Sequence, residues 1–200
     1  IQLIFFMKKI LIVGAGLSST SLIKYLLDQS DTQNWHITLN DIDENRARKK
    51  IGDHPNGTAV SFDIFNEEQR ELFISSSDIV VSMLPARMHH LVAIDCLRHR
   101  KNLITASYIS EEIKQMDEQA RKLGIIFLNE IGLDPGIDHM SAMRIINRIK
   151  ADGGKLDVFE SNTGGLVAPG SDNNPWRYKF TWNPRNVILA GQHGARFLHN

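Results

Sequence analysis

Lys8-Lys9-Ile10-Leu11-Ile12-Val13-Gly14-Ala15-Gly16-Leu17-Ser18-Ser19 is the stretch that decides the fold. A short aliphatic run breaks into Gly-x-Gly-x-x-Ser, and apolar residues at helical spacing (Leu22, Ile23, Leu26, Leu27) follow at once. A buried strand, a glycine turn and a helix start in that order make a pyrophosphate site. The first glycine permits the turn, the second lets backbone approach the phosphates, and free N–H groups at the helix start meet the negative charge. Gly14, Ala15, Gly16, Leu17 and Ser18 are therefore the expected phosphate cradle. The third position of the motif is Ser19 instead of Gly or Ala, small enough to keep helix and strand close.

Outward from this turn, the pattern repeats. Strands are expected at His36–Asp41, Thr58–Phe62, Asp78–Leu84, Asn102–Ala106 and Ile125–Leu128. Helices alternate with them: one from Asn66 to Ile74 with Asn66 and Gln69 in capping-box spacing, one from Arg87 to His99, and one capped by Ser110 and closed by Gly124. Six strands alternating with helices through short loops demand an α/β fold with a doubly wound parallel (Rossmann) sheet. Its ligands bind at the carboxyl ends of the strands. Those ends carry Gly14–Gly16, Asp41, Ser82-Met83-Leu84-Pro85, Thr105-Ala106-Ser107-Tyr108 and the run Asn129 to Gly136.

Asp41 follows Gly16 at close to the interval of about 20 residues that places an acid on the adenosine ribose. A carboxylate there accepts both ribose hydroxyls and repels a 2′-phosphate. The expected cofactor is NAD in preference to NADP, with NADP not excluded; Arg46 and Arg48 read as the solvated face of the next helix.

A helix from Asp138, as its N-cap, to about Lys150 and a strand from Lys155 to Asn162 come next. A loop-rich, aromatic texture follows, with Trp176, Tyr178, Phe180 and Trp182. The expected division is a leader over 1–6, outside the fold, a dinucleotide-binding domain over 7–137, and the start of an α+β substrate-binding domain over 138–200.

Composition narrows the function classes. Hydrophobic residues make up 42% of 200, enough for a sizeable core, and 23 basic residues balance 23 acidic ones. Nucleic acid and anionic membrane surfaces lose their electrostatic argument. No apolar run approaches the roughly 20 residues of a membrane span. A single cysteine, Cys96, excludes an internal disulfide, fits a cytoplasmic protein, and sits on an apolar helix stripe as a core residue. Histidines and carboxylates show no metal-ligand spacing. Tyr108 lacks the Lys four positions on that a short-chain dehydrogenase pair requires; Glu112 stands there.

Read together, these strand ends resemble the saccharopine dehydrogenase family, in its glutamate-forming branch. The resemblance rests on Gly14-Ala15-Gly16, Ser82 to Pro85 followed by His89, Thr105 to Tyr108, and Asn129-Glu130-Ile131-Gly132-Leu133-Asp134-Pro135-Gly136-Ile137-Asp138-His139. It continues through Gly164 to Pro169 and Tyr178 to Trp182. It implies an oxidoreductase of lysine metabolism that interconverts saccharopine with L-glutamate and 2-aminoadipate 6-semialdehyde, homodimeric and acting on a small amino-acid substrate. Family members are about twice as long, so the chain reads as a C-terminally truncated member.

By the same resemblance, Tyr108 and Asp134 are catalytic, and Ser107, Tyr108, Asp134, Thr163 and Phe180 meet the substrate. Leu84, Pro85, Thr105, Ser107, Leu133, Asp134 and Pro135 join the glycine turn around the cofactor. Two departures stand out. Fungal members carry Cys where this chain has Thr163, and NADP-using members carry Arg just after the second strand, where this chain has Asp41-Ile42. His89 matches the family, although a place on the helix face is the expectation, and His139 either orients the Asp134 loop or starts its helix. Carboxynorspermidine or homospermidine relatives, which also couple aldehydes to amines, and a non-catalytic dinucleotide-binding module are the alternatives.

Overall fold

The computed structural model describes residues 7–162 and 167–180. The expected leader, Thr163 and Trp182 lie outside them. The chain divides into two compact units, Ile1–Lys155 and Leu156–Asn200.

The first unit alternates strand and helix. β1 (Lys8–Val13) leads through a 3-10 turn (Leu17–Ser19) into α1 (Thr20–Gln33). β2 (Trp35–Asn40), α2 (Glu44–Ile51), β3 (Gly57–Val60) and α3 (Glu67–Ser75) complete one half. β4 (Ile79–Ser82), a second 3-10 turn (Ala86–Met88), α4 (His89–Arg98), β5 (Asn102–Thr105), α5 (Glu111–Lys114), α6 (Asp117–Leu123), β6 (Phe127–Leu128) and α7 (Ile137–Ala151) form the other. All six strands are parallel in the order β3-β2-β1-β4-β5-β6, the doubly wound arrangement expected of two halves that reverse direction at β1 and β4.

Alternation along β1 explains why both faces are covered. Side chains on a strand point to opposite faces in turn. Leu11 and Val13 enter a cluster with Ile74, Val92, Cys96 and Leu103, while Ile10 and Ile12 enter the opposite cluster with Ile23, Leu27, Leu39 and Ala47. Each fully buried Leu or Ile contributes about 1.5–3 kcal/mol. The all-apolar strand Ile10–Val13 is thus the keel of two cores.

Several boundaries differ from the sequence expectation. The single helix after Ser110 is broken at Gln115–Met116 into α5 and α6. Ser110 caps α5 by accepting from the Ile113 N–H, and Asn66 caps α3 by accepting from Gln69. Ile125 and Ile126 stay outside β6, where the Asn102 carboxamide takes up the Ile126 N–H. Lys155 to Asn162 form no strand with any described residue and are exposed; a strand needs a partner to take its backbone groups.

Candidate active site at the carboxyl edge of the sheet

The ends of β1 and β4 meet at Gly14. Its φ is +109°, and a Cβ there would lie 2.8 Å from the Met83 carbonyl oxygen, so only glycine admits this approach. Gly16 is different. Its backbone is extended, and a Cβ built on it meets nothing within 4 Å. The space above it is open, which is what a cofactor lying on backbone requires. Leu17 and Ser18 begin the 3-10 turn and are exposed. Ser19 is fully buried and its hydroxyl donates to the Gly16 carbonyl at 2.9 Å, so the departure from glycine is turned into a brace.

Two further residues hold this turn from β2 and α2. Asp41, 7% exposed, accepts from the Ala15 N–H at 2.8 Å with one oxygen; the other takes the Asp43 N–H at 3.1 Å and Arg46 at 3.4 Å. Lys50 reaches from α2 to the Gly16 carbonyl and to the hydroxyls of Ser19 (3.1 Å) and Thr20 (2.8 Å). Burial pulls the Lys50 ammonium below the usual lysine range, with Asp41 opposing and Arg46 adding to the shift. Sequence reading missed Lys50 because Lys49-Lys50 has the pattern of a solvated helix face.

At β4 the chain turns through half-buried Leu84 and exposed Pro85. His89, the first residue of α4, is 2% exposed and points inward. This corrects the helix-face expectation. Its Nδ1 lies 2.8 Å from the Ser82 hydroxyl and its Nε2 2.8 Å from that of Ser107. Burial lowers its pKa to about 4, so the ring is neutral at pH 7.

The β5 end is laced to the run after β6. Thr105, buried, donates through its hydroxyl to Asn129 at 3.3 Å, while the carbonyls of Thr105 and Ser107 accept from the N–H groups of Ile131 and Glu130. Glu130 in turn accepts from the Ile109 N–H. The loop closes on itself: Gly132 N–H donates to Pro135, and Ile137 and Asp138 donate to Gly132 and Leu133. Gly136 has φ +148°, and a Cβ there would lie 2.1 Å from the Gly132 oxygen. Pro135 is buried after a cis Asp134–Pro135 bond, and Leu133 and Asp134 face outward.

There the Tyr108 phenol donates to Asp134 at 2.8 Å. This hydrogen bond, then partial burial and the charges of Asp134, Asp138 and Glu130, push the phenol up to about 12. Tyr108 therefore keeps its proton across the neutral range.

Asp138 is not the N-cap of α7; Gly136 is. The carboxylate instead reaches back to the Gly136 N–H at 2.9 Å and touches His139 Nδ1 at 2.8 Å, so among the described residues His139 is tied to the loop through Asp138. Cys96 is core, its thiol pushed well up by burial. Phe180 lies in the second unit, edge-on to Tyr178 with ring centroids 5.2 Å apart. Among the described residues no group of three His, Cys, Asp or Glu is placed to hold a metal, and no helix is long and apolar enough to cross a membrane.

Comparison with known proteins accords with this geometry. Residues 10–128 match the family model described as the saccharopine dehydrogenase NADP binding domain, and residues 132–200 match the saccharopine dehydrogenase C-terminal domain. The chain is 36% identical over 194 residues to a saccharopine dehydrogenase (NADP(+), L-glutamate-forming) of Schizosaccharomyces pombe, covering 97% of this chain and 42% of that protein. It is 39% identical over 173 residues to the alpha-aminoadipic semialdehyde synthase of Arabidopsis thaliana, covering 86% of this chain and 16% of that one. The solved apo saccharopine dehydrogenase (L-Glu forming) from Saccharomyces cerevisiae superimposes with a TM-score of 0.80 at 34% identity, over 92% of this chain and 40% of its own. The chain thus spans about two fifths of its fungal relatives.

These findings overturn the expected preference for NAD. The matching domain is an NADP-binding one, and the fungal relatives carry NADP(+) in their names. The structure supplies the reason the expectation failed. An acid after β2 signals NAD only when its carboxylate faces the ribose; that of Asp41 is turned onto the Ala15 and Asp43 N–H groups.

Proposed function

We propose, since the chain belongs to the saccharopine dehydrogenase family, that it is the dinucleotide-binding domain and the start of the substrate-binding domain of an oxidoreductase interconverting saccharopine with L-glutamate and 2-aminoadipate 6-semialdehyde, using NADP(H). The observation that carries the reading is the Tyr108–Asp134 hydrogen bond standing at the same sheet edge as the open space over Gly16.

In the synthetic direction the semialdehyde and the glutamate amine condense with loss of water, and the C=N carbon then takes up hydride; in the other direction the C–N carbon gives it up. The nicotinamide, when bound, supplies or accepts that hydride. The protein's part is placement. The backbone of Gly14 to Ser18 receives the pyrophosphate. Arg46, half exposed beyond Asp41, is the cation for the 2′-phosphate, and Lys50 fixes the turn from below. Ser107 and Tyr108 line the substrate, and Asp134 receives a substrate ammonium while the protonated phenol holds its carboxylate in place. Thr163 and Phe180 are assigned to the substrate by resemblance.

A cytoplasmic setting and a homodimer belong to the same reading. The single cysteine, buried and free, supports the first. Exposed Met140 and Met143, one turn apart on α7, support the second.

The test is saccharopine-dependent reduction of NADP+ by the protein that carries this chain, with NAD+ run beside it. Turnover of a polyamine precursor with none of saccharopine would move the assignment to the carboxynorspermidine or homospermidine type.

A further inference from the structure

We propose that His89 is a positioning residue that sets both the place and the hydrogen-bond polarity of the Ser107 hydroxyl, through the buried chain Ser82–His89–Ser107. The proposal rests on the reading of Ser107 as a substrate-side residue. Ser82 is fully buried at the end of β4, His89 is 2% exposed at the start of α4, and Ser107 lies just past the end of β5. Both ring nitrogens are in short contact, 2.8 Å to each hydroxyl. The imidazole therefore ties two neighbouring strand ends together and leaves Ser107 half-buried as the outer terminus.

The chemistry follows from the inventory of a neutral imidazole, which carries one N–H and one bare nitrogen. With the proton on Nδ1, the ring donates to Ser82 and its Nε2 accepts from Ser107; the Ser107 oxygen then has lone pairs left for a ligand N–H. With the proton on Nε2, the ring donates to Ser107, and the Ser107 O–H is free to donate to a ligand acceptor. The buried site carries no net charge in either setting, which keeps both accessible without a desolvation penalty. A substrate nitrogen that donates as an amine and accepts as a neutral imine meets a matching Ser107 in each form. Nothing in the local sequence signals this, since His89 looks like one of a His-His pair opening a helix.

The test compares His89→Asn, His89→Gln and Ser107→Ala in the protein that carries this chain. Asparagine retains a polar atom near Nδ1 and cannot reach Ser107; glutamine extends toward the Nε2 position. His89→Asn should lower kcat/KM by about tenfold, the scale of one lost hydrogen bond. His89→Gln should recover most of it, and His89→Asn on top of Ser107→Ala should cost nothing further. Losses that multiply in the double variant would overturn the proposal, because His89 would then act independently of Ser107. Imidazole 15N spectra without substrate give a second readout. Ser107→Ala should move the His89 Nε2 resonance and leave a neutral ring; an unmoved resonance would likewise overturn the relay. If wild-type protein fails to turn over saccharopine, the functional reading fails, while the spectra still decide the relay.

Discussion

Tyr108 and Asp134 are joined by a 2.8 Å hydrogen bond from the phenol to the carboxylate, bridging the end of β5 and the loop before α7. The contact places a proton donor and a negative charge side by side at an exposed edge. The direction of the Tyr108 shift follows: ionising the phenol would set two anions in contact.

Removing the charge should therefore release the phenol. The folded pKa of about 12 lies above the ordinary value near 10, so the hydrogen bond is intact below the ordinary value and is lost as pH rises through about 12. Asp134→Asn should bring Tyr108 back toward the ordinary value. Ultraviolet titration of tyrosinate, with Tyr108→Phe as the blank, measures it. An unchanged titration in Asp134→Asn would show that Asp134 is not the cause.

The two kinds of glycine should behave oppositely. Gly136→Ala brings a Cβ within 2.1 Å of the Gly132 oxygen at φ +148° and should cost about 3 kcal/mol or more in urea denaturation. Gly16→Val fills open space. It should leave the melting temperature within about 2 °C of the parent and weaken NADPH binding at least about tenfold, as a side chain now stands where backbone must approach phosphate. Parental NADPH affinity in Gly16→Val would remove the glycine turn from the site.

Arg46 should discriminate between cofactors. Its guanidinium is more than half exposed and leans on Asp41, a geometry suited to a 2′-phosphate. Arg46→Ala should raise the Kd for NADPH by about tenfold and that for NADH by less than about twofold, the gap expected when one charge-assisted contact is lost. Equal losses measured by fluorescence titration would assign the 2′-phosphate elsewhere.

Beneath the sheet, Arg70 and Asp95 form a buried ion pair at 2.6 Å, with Arg70 also donating to the Ile64 carbonyl at 2.6 Å. Arg70→Met strands a carboxylate that is fully buried. The expected loss is about 3–5 kcal/mol, most of it recovered when Asp95→Leu is added, since an apolar pair needs no charge compensation. A loss below about 1 kcal/mol in the single variant would mean that Arg98, 3.4 Å from the other oxygen, already suffices.

How far the sequence reaches is clearest residue by residue. The all-apolar stretch Ile10–Val13, the glycine turn and the caps Asn66 and Ser110 are local features, and each forms as read. The parallel order also follows, because right-handed crossovers leave few ways to join alternating strands and helices. Tyr108 and Asp134 were both legible at strand ends, although their contact was not. Asp41 was legible as an acid in the right place, yet the NAD preference read from it is overturned by the NADP-binding family model and the NADP(+)-named relatives. Asp138, expected to cap α7, instead serves Gly136 from inside the helix.

By itself, then, the sequence of this protein determined most strands and helices of the first unit and their parallel, doubly wound sheet, because periodicity, turn residues and crossover handedness act over short spans of chain. Only the tertiary structure decided where Asp41 points, that Lys50 braces the turn around Gly16, and that His89 links Ser82 to Ser107. Those outcomes depend on which buried polar group finds which partner through space, and no spacing along the chain records that.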